Sequence, residues 1–333
     1  MNAFRKLAQR IRRNEPLPAP LRALLWAASF GQRFGMWLRL QRRPVKVAAY
    51  VVSYGNLTAG GVGKTPAVIE RAAREAAAGK RVAILTRGYG GAPVREPIAL
   101  APGQADAQTV ARFGDEAALI ARRVPGVWIV RAANRVAGAH VAIEQGCNLM
   151  IMDDGFQAVA LARDENILLI DATNPFGNNC LVPRGILREA PAAMKRATEI
   201  ILTRCDQASE NLAAIEKVIN RYAPDIPIRR TQHRPVGLWR VRDGSEAPLA
   251  LLRNAAVRVV CGIGNPDAFV ALLRELGARI TEIHNLPDHA AIPETLLEGS
   301  ALTIMTEKDA MRIHNATSPG AYALAICLDR YES

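Results

Sequence analysis

The chain has 333 residues, half of them hydrophobic but only 5% aromatic, so it can bury an aliphatic core large enough for two domains. Its net charge of +12 is uneven: residues 1–46 carry eleven basic side chains against Glu15 alone, and the rest is nearly neutral. That distribution argues against a nucleic-acid channel through the body of the protein. The five cysteines, Cys147, Cys180, Cys205, Cys261 and Cys327, are odd in number, scattered and never in a Cys-x-x-Cys pair, which excludes a disulfide framework and a cysteine zinc site and fits a reducing cytoplasmic compartment.

In chain order, residues 1–15 form a basic segment, which Pro16, Pro18 and Pro20 interrupt. The spacing predicts a helix over 21–43 with Trp26, Phe30, Phe34, Trp37 and Leu38 on one face and arginines largely opposite. Arg22, Arg33 and Arg39 interrupt it well short of the ~18 apolar residues a spanning helix needs, and no small-residue cleavage site marks a signal peptide. An aromatic face with a basic flank suits the headgroup layer of an anionic membrane, and the alternative is a helix packed on the domain.

From Val47 onward, short apolar runs alternate with helical patterns. Strands are expected at 46–52, 81–85, 127–130, 149–152, 167–170 and 199–202, with helices such as 116–123 and 135–144 between them. This is the pattern of an α/β fold, a mostly parallel P-loop NTPase-type sheet with helices on both faces. A proline- and arginine-rich stretch over 222–235 reads as a hinge. Further strands at 257–261, 280–283, 301–305 and 322–327 suggest a smaller C-terminal α/β domain. The expected division is 1–46 for membrane docking, 47–228 for the P-loop core and 229–333 for the C-terminal domain.

The first strand breaks into glycines and ends Gly60-Gly61-Val62-Gly63-Lys64-Thr65-Pro66. Phosphate oxygens need several backbone N–H groups converging on one point, which glycines permit and a helix N-terminus reinforces. Pro66 is tolerated in a first helical turn. Lys64 is then expected at the terminal phosphates and the Thr65 hydroxyl at magnesium. The strict loop pattern wants glycine at position 58, where this chain has Thr58. The strand 149–152 ends in Asp153 and Asp154, which suits a second magnesium anchor. Asp115, in Gly114-Asp115-Glu116, is read equally as a helix cap or a catalytic group.

These motifs, together with Arg87-Gly88-Tyr89-Gly90, Asp153-Asp154-Gly155-Phe156-Gln157, Pro183-Arg184-Gly185-Ile186-Leu187-Arg188-Glu189 and Thr306-Glu307-Lys308-Asp309-Ala310, resemble the tetraacyldisaccharide 4′-kinase family over almost the whole chain. The resemblance explains Thr58, because the family's loop has threonine there. It implies ATP as donor, magnesium, and a tetraacyldisaccharide 1-phosphate as acceptor at its 4′-hydroxyl. It further implies Asp115 as base with His289 as partner, and Arg188 and Glu189 lining the nucleotide side. The expected setting is the cytoplasmic face of the inner membrane, on an anionic surface, with no nucleic acid and no obligate protein partner. Where the family usually has histidine, this chain has Ala158, and no role is carried to that position. The competing reading is a membrane-associated regulatory nucleotidase.

Overall fold

The computed structural model describes residues 3–12, 15–89, 91–106, 108–288, 290–299, 301–313 and 318–332. Two helices open the chain, α1 (Ala3–Arg12) and α2 (Ala19–Leu40), the second starting on prolines at and just after its N-cap, where a missing N–H costs nothing. Strand β1 (Tyr50–Asn56) then leads through the glycine loop into α3 (Lys64–Ala77). The strand was expected at 46–52 and is displaced toward the loop, because Ser53–Asn56 pair with β6 and are fully buried. Gly55 allows this: a Cβ there would meet Phe156 at 2.6 Å.

There follow β2 (Val82–Thr86), β3 (Ile98–Leu100), α4 (Thr109–Phe113), α5 (Asp115–Arg123), β4 (Trp128–Arg131) and α6 (Arg135–Glu144). Asn134 caps α6, its side chain accepting the N–H groups of Val136 and Ala137. Next come β5 (Leu149–Met152), β6 (Glu165–Asp171), β7 (Glu199–Thr203), α7 (Leu212–Tyr222) and β8 (Ile228–Arg240). The stretch 222–235, expected as a hinge, is instead mostly this thirteen-residue strand. Its arginines are ion-paired, Arg229 with Glu199 at 2.8 Å and Arg230 with Glu216 at 2.7 Å, so charge there does not mean a loop. The last elements are β9 (Glu246–Ala247), β10 (Ala256–Cys261), α8 (Pro266–Glu275), β11 (Arg279–Asn285), β12 (Leu302–Thr306), α9 (Glu307–Ala310) and β13 (Ala321–Arg330).

Two compact units result. The first comprises Met1–Lys64, Leu149–Gln232 and Arg330–Ser333. Here β1 lies between β5 and β6, β7 adds beyond β6, and the start of β8 adds beyond β7, all parallel. Its core packs Leu57, Phe156, Leu168, Ile200, Leu202 and Ile219 together. Strands buried on both faces read as unbroken apolar runs, which is why Leu149–Met152 and Ile167–Ile170 were legible.

The second unit comprises Thr65–Asn148 and His233–Asp329. In it β2 is parallel to β4 and β3 antiparallel to β4, while β11, β10, β12 and β13 run parallel in that order. Val257, Val259, Leu273, Ile304 and Leu324 share its C-terminal core. The mostly parallel α/β architecture expected from the sequence is therefore observed, with the β3–β4 and β8–β9 pairs antiparallel. Among the described residues, no helix is long and apolar enough to cross a membrane.

Candidate active site

In the first unit the glycine loop is shaped by its neighbours. Gly60 and Gly63 have φ of 135° and 84°, a region that side chains rarely adopt, and a Cβ on Gly60 would lie 3.7 Å from the Arg12 guanidinium. Thr58 is buried and bridges antiparallel to Leu187. Asn56 Nδ2 donates to the Thr58 carbonyl at 2.5 Å, so the departure from glycine is accommodated by an extended, hydrogen-bonded residue. Two loop carbonyls are held by residues at the end of β7, that of Val62 accepting from Thr203 Oγ1 at 2.9 Å and that of Gly61 from Arg204 Nη1 at 3.4 Å. Arg204 is itself paired with Asp171 at 2.5 Å.

Lys64 opens α3, and its Nζ donates to Asn56 Oδ1 at 3.1 Å and pairs with Asp154 at 3.4 Å. Thr65 follows in the helix's first turn, with Pro66 beside it as expected. Asp153 and Asp154 sit just past the end of β5, Asp153 only 2% exposed and Asp154 in the left-handed region at φ 55°. Arg188 Nη1 donates to both Asp154 oxygens, at 2.9 and 2.8 Å. Burial alone would raise the Asp154 pKa, but the charges and hydrogen bonds of Lys64 and Arg188 prevail and hold it at about 2, so it is ionised.

Glu189 turns the other way. It accepts from Gln157 Nε2 at 2.9 Å and pairs with Arg196 at 2.7 Å, bracing the loop that carries Asp154. Arg163 pins the same loop, donating to the carbonyls of Gly155 and Ala158 at 3.0 and 2.8 Å. No sequence motif marks Arg163, Thr203 and Arg204, although Thr203 and Arg204 lie at the carboxyl end of a parallel strand, where ligand loops collect.

Asp115, in the second unit, is 2% exposed. The N-cap of α5 is Gly114, with φ 91°, and Asp115 is the first helical residue. The cap reading is thereby corrected: the glycine occupies the N-cap and takes the special backbone conformation, and Asp115 Oδ1 accepts the neighbouring Glu116 N–H at 2.9 Å. Its Oδ2 faces Arg312 Nε at 3.7 Å. His289 lies outside the described residues, but the adjacent Asp288 accepts from Lys308 Nζ at 3.0 Å. Also in this unit, Arg131 donates to the carbonyls of Arg87 at 3.3 Å and of Gly91 at 3.2 Å, fixing the Arg87–Tyr89 turn.

Magnesium fits the donors available. It takes hard oxygens, is held by one or two carboxylates and a hydroxyl, and completes its shell with phosphates and water. In the first unit, Asp153 and an ionised Asp154 are donors of that kind, and among the described residues no cluster of three His, Cys, Asp or Glu builds a protein-only cage.

Residues 17–330 match the family model described as tetraacyldisaccharide-1-P 4′-kinase. A tetraacyldisaccharide 4′-kinase of Anaeromyxobacter dehalogenans is 39% identical over 287 residues, covering 83% of this chain and 75% of that protein. One of Parvibaculum lavamentivorans is 39% identical over 309 residues, covering 89% and 83%. Among solved structures, LpxK from Aquifex aeolicus in complex with ATP superposes with a TM-score of 0.73 at 27% identity, covering 93% of this chain and 95% of that one. With its loop, its paired aspartates and a match running from residue 17 to residue 330, the chain belongs to the tetraacyldisaccharide-1-P 4′-kinase family.

Proposed function

We propose that this protein transfers the γ-phosphoryl group of ATP to the 4′-hydroxyl of a tetraacyldisaccharide 1-phosphate, a lipid A precursor, at the cytoplasmic face of the inner membrane. The observation that carries the reading is the glycine loop with Lys64 held between Asn56 and Asp154, in a chain matched to this kinase family from residue 17 to residue 330.

Thr58, Gly60, Gly61 and Gly63 shape the loop whose N–H groups take the phosphates. Lys64 neutralises charge as the phosphoryl group moves between oxygens, and Arg188 steadies Asp154. Glu189 acts on the nucleotide side indirectly, through Gln157. Magnesium, when held by Thr65, Asp153 and Asp154, supplies positive charge to the phosphate oxygens. Asp115 accepts the proton of the sugar hydroxyl as its oxygen bonds to phosphorus and the bond to the ADP oxygen breaks, with His289 as its partner. The lipid reaches the enzyme at a membrane surface, which α2 engages. Its Trp26, Phe30, Phe34 and Trp37 are all exposed, two as an edge-to-face pair at 4.6 Å and two stacked at 5.8 Å.

The test is transfer of radiolabel from γ-labelled ATP in detergent micelles holding the disaccharide lipid. Label in the lipid fraction, dependent on Lys64, is the expected result. Release as inorganic phosphate without lipid labelling would favour the regulatory nucleotidase.

A further inference from the structure

The motif Thr306-Glu307-Lys308-Asp309-Ala310 has no part in the chemistry above, yet it lies in a buried, densely charged cluster of the second unit. In α9, which follows β12 directly, Asp309 is fully buried and accepts the Gly262 N–H on both oxygens at 3.1 Å and the Thr306 hydroxyl at 2.6 Å. It also pairs with Arg312. The Arg312 side chain is only 7% exposed, its Nε faces Asp115 at 3.7 Å, and neither Nε nor Nη1 has a hydrogen-bond partner among the described residues. Beside it, Lys308 bridges Glu116 at 3.1 Å and Asp288 at 3.0 Å.

A buried cation is costly unless something uses its charge. Asp309 already satisfies one end of Arg312, and a salt bridge made only for stability would close that pair and stop. The guanidinium instead extends to the carboxylate at the start of α5, tying that carboxylate to the ends of β10 and β12. We infer that Arg312 is a positioning residue for Asp115: anchored by Asp309, it fixes the orientation of the carboxylate and keeps it deprotonated for the acceptor hydroxyl. Lys308 does the complementary work, holding Glu116 and the Asp288 loop so that they do not crowd Asp115 with negative charge. The inference rests on the reading of Asp115 as the base.

Among the described residues, Arg312 pairs with Asp115, and the same charged group holds Lys308 with its partners Glu116 and Asp288, and Asp309 with Arg312. Removing the Arg312 charge leaves the carboxylates in excess, so the Asp115 proton should be held more tightly. Full-length protein is assayed with ATP, magnesium and the lipid in micelles, as Arg312→Met, Arg312→Lys and Asp115→Asn. Arg312→Met should lower kcat by about 10²-fold with the KM for ATP unchanged, as expected when a reacting group is misplaced. The acidic limb of its pH–kcat profile should move up by about one unit, the size expected for losing an adjacent cation. Arg312→Lys should restore most of kcat and return the limb.

The inference is overturned if folded Arg312→Met keeps kcat and its acidic limb, or if Arg312→Lys loses as much as Arg312→Met. Should Arg312→Met fail to fold, Arg312→Gln takes its place under the same two criteria. Asp115→Asn separates the two levels: if it retains activity, the base reading fails, whereas if it is inactive and Arg312→Met is not, only the positioning role fails.

Discussion

Asp154 carries a charge that the fold itself stabilises. Its pKa of about 2 lies below the ordinary 3.8, so the folded state gains from the ionised form at every pH above about 4 and loses that gain as pH falls through 2. The difference corresponds to about 2 kcal/mol. Urea unfolding of the isolated protein between pH 5 and pH 2 should show a loss of that order, and Asp154→Asn should flatten it. Lys64→Ala removes one of the two cations, leaves Arg188 in place, and should shift the acid loss to higher pH without preventing folding. In the kinase assay the same variant should lose ~10²-fold to 10³-fold in rate, the usual worth of an electrostatic stabiliser. Near-normal turnover in folded Lys64→Ala would remove the loop from the mechanism. The order of strand, glycine loop and helix opening at Lys64 was legible, because the backbone at Gly60 and Gly63 takes a conformation that favours glycine. Arg204 was not, because a side chain that shapes a loop through one hydrogen bond can come from many residues and many places in the chain.

At the scale of elements, α2 gives the sharpest test. Its large apolar side chains are exposed, Trp26 at 51% and Phe34 at 60%, although they fall on the side of the helix that ordinarily packs inward. Gln32 ties the same helix to the segment after Leu187 in the first unit, donating to the Arg188 carbonyl at 3.1 Å. Trp26→Ser with Phe34→Ser should therefore release the protein from anionic vesicles in a sedimentation assay while leaving ATP binding intact. Unchanged sedimentation would move the docking surface elsewhere. The period of α2 could be read from sequence, as could α6, whose bounds at 135–144 agree with the expectation. Strand β8 could not, because Arg229, Arg230 and Pro235 look like loop residues until Glu199 and Glu216 are seen opposite the arginines.

At the scale of the molecule, the chain leaves the first unit after Lys64, returns at Leu149, leaves again after Gln232 and ends in it from Arg330. Such interleaving has no local signature, since each crossing occurs inside or beside a regular element with ordinary composition. The parallel sheet itself was legible, because each strand declares its burial by its own residues. The residues named for chemistry are divided accordingly, with Lys64, Asp153, Asp154 and Arg188 in one unit and Thr65 and Asp115 in the other. The family match spans both. The most direct measurement of the proposed activity is the fate of the γ-phosphate of ATP, followed in micelles of tetraacyldisaccharide 1-phosphate for the wild-type chain and for Asp115→Asn. Label is expected on the 4′ oxygen of the lipid with the wild type and to fall by ~10²-fold to 10⁴-fold with Asp115→Asn at unaltered ATP binding. Label found only in inorganic phosphate, or equal lipid labelling by the two proteins, would contradict it.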